Sequence, residues 1–197
     1  MVLALTVSVA APALSRVKAF ADKVAASYVS FDYSFTVNGS MPVKGSGRAC
    51  VQGDSFRVEA DGLLICCDGV SMWSADLASK ELVIDNVLGE KDFAGNPALL
   101  VNHLEEAFTV ISSGESRFQG KVCHAEALSP KSKDMGVDKA KAFFDGKGNM
   151  IGLGVTADGV DTEFVISSLK FSPVKPSGEF MFDTSIIDAS WVVTDLR

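Results

Sequence analysis

The side chains best equipped for chemistry in this sequence are the vicinal thiols Cys66 and Cys67, His103 with the acidic pair Glu105 and Glu106, and His124. A redox role for adjacent cysteines needs a thiolate at ordinary pH. The charged neighbour here is Asp68, and a carboxylate raises a thiol pKa. In a strand the two thiols point to opposite faces, so they would share no surface. Cys50 and Cys123 complete the set of four cysteines, and no C-x-x-C or Cys/His spacing joins any of them into a metal site. A hairpin about Gly53-Asp54 sets Cys50 opposite Arg57, not Cys66. Free thiols filling small interior spaces are expected, with a disulfide to Cys123 left open.

His103-Leu104-Glu105-Glu106 carries ligating side chains, but no second histidine or cysteine supplies the rest of a coordination sphere. It reads as a solvated helix face. The sequence contains no G-x-S-x-G, HExxH, phosphate loop or dinucleotide fingerprint. Gly45-Ser46-Gly47 is too short for a phosphate loop and falls in a strand, where glycine marks a bend or a close approach. Neither catalysis nor a metal or cofactor is expected.

The elements that would position these groups are mostly strands. Residues 45–87 read as short strand segments cut by Gly53-Asp54, Asp61-Gly62 and Asp68-Gly69, and Asp145-Gly146 and Asp158-Gly159 recur later. Such dipeptides supply the positive φ that tight hairpins need. Residues 28–37 alternate, with Val29, Phe31, Tyr33, Phe35 and Val37 on one face and Ser30, Asp32, Ser34 and Thr36 on the other, as in a half-buried antiparallel strand. Further strands are expected near 121–128, 137–145, 149–157, 160–171 and 179–182. Residues 14–27 read as an amphipathic helix with Val17, Phe20, Ala21 and Val24 on its apolar stripe. Residues 96–111 read as a helical interruption, capped by Asn96, with Pro97 at its first position and Leu104, Ala107, Phe108 and Ile111 continuing the period. About ten antiparallel strands tend to curl. The expected fold is mainly β (α+β): a curved antiparallel sheet forming an unclosed barrel, with an N-terminal helix and a helical lid over an apolar interior.

Composition narrows the function classes. The net charge is −7, and lysines and arginines occur singly, as at Lys131 and Lys133. Nucleic-acid binding needs clustered cations and is not expected; adhesion to anionic membranes is disfavoured for the same reason. Mean hydropathy is +0.23, high for a soluble chain. Part of that excess lies in residues 2–14, VLALTVSVAAPAL, too short to span a bilayer. This stretch resembles the apolar core of a secretory signal, and Ala11-Pro12-Ala13 fits its cleavage pattern, although no cationic residue precedes it. Two readings stay open: residues 1–13 are a signal or targeting segment, or they belong to the first helix. Residues 14–197 are expected to form one domain.

The order of motifs resembles the LolA-like family of periplasmic outer-membrane lipoprotein carriers. The resemblance rests on Phe31-Asp32-Tyr33-Ser34-Phe35, Phe56-Arg57-Val58, Asp68-Gly69-Val70-Ser71-Met72-Trp73, Asn96-Pro97-Ala98-Leu99-Leu100 and Phe180-Met181-Phe182. The final Val192-Val193-Thr194-Asp195-Leu196-Arg197 is similar to endings of divergent, Bacteroidetes-type members. Each motif alone is weak, and their order over residues 15–197 gives the match its specificity.

The resemblance implies an exported, periplasmic, monomeric carrier or chaperone that holds lipoprotein acyl chains in a hydrophobic cavity. It implies receipt from an inner-membrane lipoprotein-releasing ABC transporter and delivery to an outer-membrane acceptor, with no cofactor. By position, Asn96, Pro97, Leu99, Leu100 and Val101 match the lid. Phe31, Phe35, Val51, Phe56, Val58, Leu64, Trp73, Leu82, Ile84, Phe164 and Ile166 are the candidate cavity residues. The family braces its lid with an arginine at the turn that here reads Gly53-Asp54, and this chain has none there. The alternative function is an envelope lipid- or protein-binding sensor or interaction module on the same fold, without cargo transfer. A thiol-based redox enzyme at Cys66-Cys67 is a third class.

Overall fold

The computed structural model describes residues 15–87 and 96–197. The candidate signal segment, residues 1–13, lies outside them. Alternation and hairpin turns build one twelve-stranded sheet. Its first six strands form an antiparallel meander: β1 (Tyr28–Asn38), β2 (Val43–Gln52), β3 (Ser55–Ala60), β4 (Leu63–Cys67), β5 (Ser71–Asp76) and β6 (Glu81–Asn86). After the helices come β7 (Phe108–Phe118), β8 (Lys121–Pro130), β9 (Lys139–Phe144), β10 (Met150–Ala157), β11 (Val160–Ser172) and β12 (Val192–Asp195). β11 returns to pair with β1, which joins the halves in the order β12-β6-β5-β4-β3-β2-β1-β11-β10-β9-β8-β7. The terminal strands β12 and β7 do not pair with each other, so the curved sheet stays unclosed, as the sequence predicts.

Helix α1 (Arg16–Ala25) buries Val17, Phe20 and Val24 on the inner face of the sheet, with the Phe20 ring edge-on to Phe144 and Phe171. Its N-terminus is held from β8. Buried Glu126 accepts from the Ser15 hydroxyl at 2.7 Å and from the backbone N–H groups of Arg16 and Val17 at 2.8 and 2.9 Å. A carboxylate there meets otherwise unsatisfied donors and the positive end of the helix dipole. His124 on the same face of β8 lies 3.7 Å from Glu126.

Three segments differ from the sequence expectation. Helix ends at Ala107, and Phe108 and Ile111 belong to β7. The β-branched run Thr109-Val110-Ile111 favours a strand, and a register shift between Val110 and Ser112 breaks the alternation that would have revealed it. Residues 179–182 are not a strand: Ser177–Phe180 is a 3₁₀ turn that seats Phe180 against Tyr28 and Cys50. Beyond it β12 joins the β6 edge in parallel, an unexpected pairing in an otherwise antiparallel sheet.

Glycine is required at β2. The Phe35 ring lies 2.6 Å from where a Gly45 Cβ would stand, and the Tyr33 hydroxyl 2.7 Å from that of Gly47. Both are cross-strand pairs, so the aromatic side chains lie over bare backbone.

Candidate functional site

The lid begins at Asn96, whose side chain accepts from the backbone N–H groups of Ala98 and Leu99 at 3.0 and 3.4 Å. Pro97 takes the first position of α2 (Pro97–Asn102), where no N–H is needed. Pro97, Ala98, Leu99, Leu100 and Val101 are all buried. A helix apolar on every side must be covered on every side. This one lies against β2 and β3 on the inner sheet face and against α1 and the short α3 (Leu104–Ala107).

The polar end of α2 meets the β2–β3 turn. Asn102 donates its side-chain amide to the Gly53 carbonyl and approaches His103 Nε2 at 3.2 Å. His103 is buried, with Glu106 at 2.9 Å and Asp54 at 3.9 Å. This histidine is therefore part of the lid's attachment rather than the solvated group its sequence context suggests. Where the family resemblance implies an arginine on the turn, the turn here offers a carbonyl and a carboxylate, and the lid supplies the side chains. An Asn-His pair closing a six-residue apolar helix was the available signal.

The candidate cavity residues divide between two faces. Phe31, Val51, Phe56, Val58, Phe164 and Ile166 pack in one cluster with Ala98, Leu99, Leu100 and Val101, and Phe35 borders it. Leu64, Trp73, Leu82 and Ile84 do not join them. They form a separate cluster with Phe182, and Ile187 and Trp191 pack against it. Register is the reason. Phe56 pairs with Cys67 and Cys67 with Met72, so these face the lid, whereas Cys66, Trp73 and Ile84 pair in turn on the opposite face. The C-terminal segment covers that outer face. Its path is fixed by Gln52, which donates to the Lys175 carbonyl at 3.0 Å and accepts from the Lys175 N–H at 2.7 Å. The lid-facing residues of β4 and β5 are Ile65, Cys67 and Met72, and sequence reasoning missed Ile65 and Met72 as well as Leu153 and Val155.

The four cysteines are buried and none is in a disulfide. Burial pushes Cys66 up to about 11, against a smaller opposing influence from Arg57, and burial likewise raises Cys50. Among the described residues no group of three or more His, Cys, Asp or Glu side chains is placed to hold a metal. Clefts lined by described residues include two of several hundred Å³. One, of about 640 Å³, runs along β1–β4; the other, of about 500 Å³, lies beside the start of α1 and includes Ser15, Arg16, His124 and Glu126. No residue of α2 lines either cleft. Ala98, Leu99, Leu100 and Val101 pack into the inner-face cluster.

This fold recurs in a solved structure. An uncharacterized conserved protein from Thermus thermophilus matches 92% of this chain and 99% of its own at a TM-score of 0.56 and 10% identity, a likeness of fold. A LolA superfamily protein from Nitrosomonas europaea matches 84% of this chain and 96% of its own, with a TM-score of 0.48 and 9% identity. In sequence, an uncharacterized protein of Methanocaldococcus jannaschii is 28% identical over 131 residues, which are 66% of this chain. The match spans 38% of that curated relative's length. No protein-family model matches the chain.

Proposed function

We propose that this protein is an envelope lipid-binding protein of LolA-like type that takes acyl chains between α2 and the inner sheet face. The observation that carries the reading is α2 itself: five consecutive buried apolar residues on a short helix, closed at one end by Asn96 and at the other by Asn102 and His103. Lifting it would bare Phe31, Val51, Phe56 and Val58 as one apolar surface. The energies are comparable. Exposing Leu99, Leu100 and Val101 costs about 1.5–3 kcal/mol each, and each buried methylene returns ~0.8 kcal/mol, so roughly six to eleven methylenes balance an open lid. Binding would then be strong enough to shield a chain from water and weak enough to release it.

On this reading the protein is a divergent, Bacteroidetes-type lipoprotein carrier that works as a monomer in the periplasm, with no catalytic step. It receives its cargo from an inner-membrane ABC transporter and passes it to an outer-membrane acceptor. The docked lid favours a second reading, an envelope sensor that binds lipid or a protein partner without ferrying it. Native mass spectrometry of protein purified from a Gram-negative periplasm, followed by lipid extraction, tests the first. A co-purified lipoprotein or phospholipid that disappears in Leu100→Glu and Phe56→Glu supports acyl binding. A clean apo mass with no uptake of an added acylated peptide overturns it.

A further inference from the structure

The sheet ends in an open edge at β7. Among the described residues no strand pairs with its outer side. From Ser112 to Phe118 it carries no proline, lysine or bulge, the devices that keep an edge from pairing. Gln119 and Gly120 both have positive φ, 47° and 74°, and close a two-residue hairpin onto β8. Phe118, Ser116 and Gly114 therefore bond to β8, while Ser113, Glu115 and Arg117 turn their backbone N–H and C=O groups outward. All three are exposed.

These residues share a face with a cleft. Register sets Ser113 opposite Glu126 and Glu115 opposite His124, on the side of the sheet where α1 begins. The cleft of about 500 Å³ lies there, with Val110 and Ser113 of β7 on one wall and Arg16 and Ala19 of α1 on the other. Strand addition uses this pair of features: an open edge for main-chain hydrogen bonds, and a pocket on one face for alternate side chains.

Charge selects what enters the pocket. Arg16 and Lys147 are its fixed cations. Its carboxylate, Glu126, is 2% exposed, and both oxygens are committed to Ser15, Arg16 and Val17. Arg16 gives one guanidinium nitrogen to the Asp145 carbonyl at 3.5 Å, which leaves it further N–H donors. An acidic side chain opposite Ser113 therefore meets a positive surplus. Further along the edge, Glu115 favours a cation opposite it and Arg117 a second acid.

A second copy of this chain meets these demands only one at a time. Antiparallel pairing that brings Glu115 of the second copy opposite Ser113 sets the two Glu115 side chains diagonally across the twofold axis, where like charges repel. Pairing Glu115 with Arg117 brings Gln119 opposite Ser113 instead. We propose that β7 takes an extended segment of a different protein as an added strand, with acidic, basic and acidic side chains opposite Arg117, Glu115 and Ser113, the last of them entering the cleft beside α1. The acid-x-base-x-acid spacing is the same in both chain directions. The site is separate from the lid and does not depend on acyl binding beneath it.

Fluorescence polarisation of the full chain with labelled Thr-Glu-Thr-Lys-Thr-Glu-Thr, and with the charge-reversed Thr-Lys-Thr-Glu-Thr-Lys-Thr, tests the assignment. The first peptide binds, and the second binds at least about tenfold more weakly. Arg16→Ala and Lys147→Ala each weaken the first about two- to fivefold. Ser113→Pro removes an outward N–H without touching the β8 ladder, where proline is tolerated, and weakens it about tenfold. Thermal melts establish that each variant is folded. Asn102→Ala, which loosens the lid, leaves the affinity within about twofold. Amide hydrogen exchange gives a second readout: the bound peptide slows Ser113, Glu115 and Arg117 and leaves Gly114 and Ser116, already bonded to β8, unchanged. Equal affinity for the two peptides, undiminished binding in Ser113→Pro, or protection outside β7 overturns the proposal. So does a concentration-dependent dimer in sedimentation velocity that Ser113→Pro abolishes, which would assign the edge to a second copy.

Discussion

Val17 donates its backbone N–H to a carboxylate oxygen of Glu126 at 2.9 Å, joining the first turn of α1 to the buried face of β8. The same side chain accepts from Arg16 and Ser15, so two oxygens serve three donors. Glu126→Gln removes the charge and turns one acceptor into a donor facing other donors. Stability should fall by about 2 kcal/mol, and by about 3 kcal/mol in Glu126→Leu, where no acceptor remains. For a chain of this size that is a melting shift of roughly 4–12 °C. Urea unfolding of both variants measures it, and a change under 0.5 kcal/mol would show that α1 is held by packing alone.

Asn102 makes the corresponding attachment for the lid. Replacing it with alanine removes the amide that reaches Gly53 while leaving every apolar residue of α2 in place. The net worth of one such bond is about 1 kcal/mol, a factor of about five in a local opening equilibrium. Amide hydrogen exchange in residues 97–102 should accelerate by about that factor, with β10 and β11 unchanged. Asn96→Ala should act on the same amides through loss of the cap, at about 1 kcal/mol. Acceleration spread evenly over the whole sheet would mean that α2 opens only when the protein unfolds.

The faces of the sheet give a third prediction. Trp73 and Phe56 are both buried, but Trp73 lies under the C-terminal segment and Phe56 under the lid. Truncating either to alanine should cost about 3–5 kcal/mol. Only Phe56→Ala should also weaken a fluorescent acyl probe, measured at a temperature where both variants are folded. Loss of probe affinity in Trp73→Ala would place the ligand on the outer face.

Those two faces mark where the sequence was legible. In β1 one face is polar, so alternation alone separated Phe31 and Phe35 from Asp32 and Ser34, and the structure agrees. In β4, Leu64-Ile65-Cys66-Cys67 is apolar on both parities because the lid side and the C-terminal segment each cover one face. A strand buried on both sides carries no parity signal, and only the ladder from Phe56 through Cys67 to Met72 decides which face is which. The lid was readable because its cap, proline and apolar run are local. Its attachment was not, since Gly53 and Asn102 meet through the fold. Glu126 had a signal that went unused: it shares parity with Leu128 in a strand whose face is buried, and a carboxylate there needs a partner.

The thiols decide the redox alternative. Cys50 and Cys66 flank Arg57 across adjacent strands, with an Arg57 nitrogen 3.7 Å from the Cys66 sulfur. A guanidinium so close lowers a thiol pKa, but burial dominates and Cys66 stands near 11, above its ordinary 9.0. At pH 8 the native protein should therefore resist a thiol reagent such as dithiobis-nitrobenzoate, and all four cysteines should react once guanidinium unfolds it. The same shift fixes a pH dependence. The folded state holds the Cys66 proton more tightly than the unfolded chain, so its contribution to stability is complete below about pH 9 and is lost as pH rises toward 11. Cys66→Ala should flatten that part of the alkaline stability profile while leaving the profile below pH 9 parallel to wild type. One thiol reacting within seconds in the native protein at pH 8 would contradict the burial account and return a redox role to Cys66-Cys67.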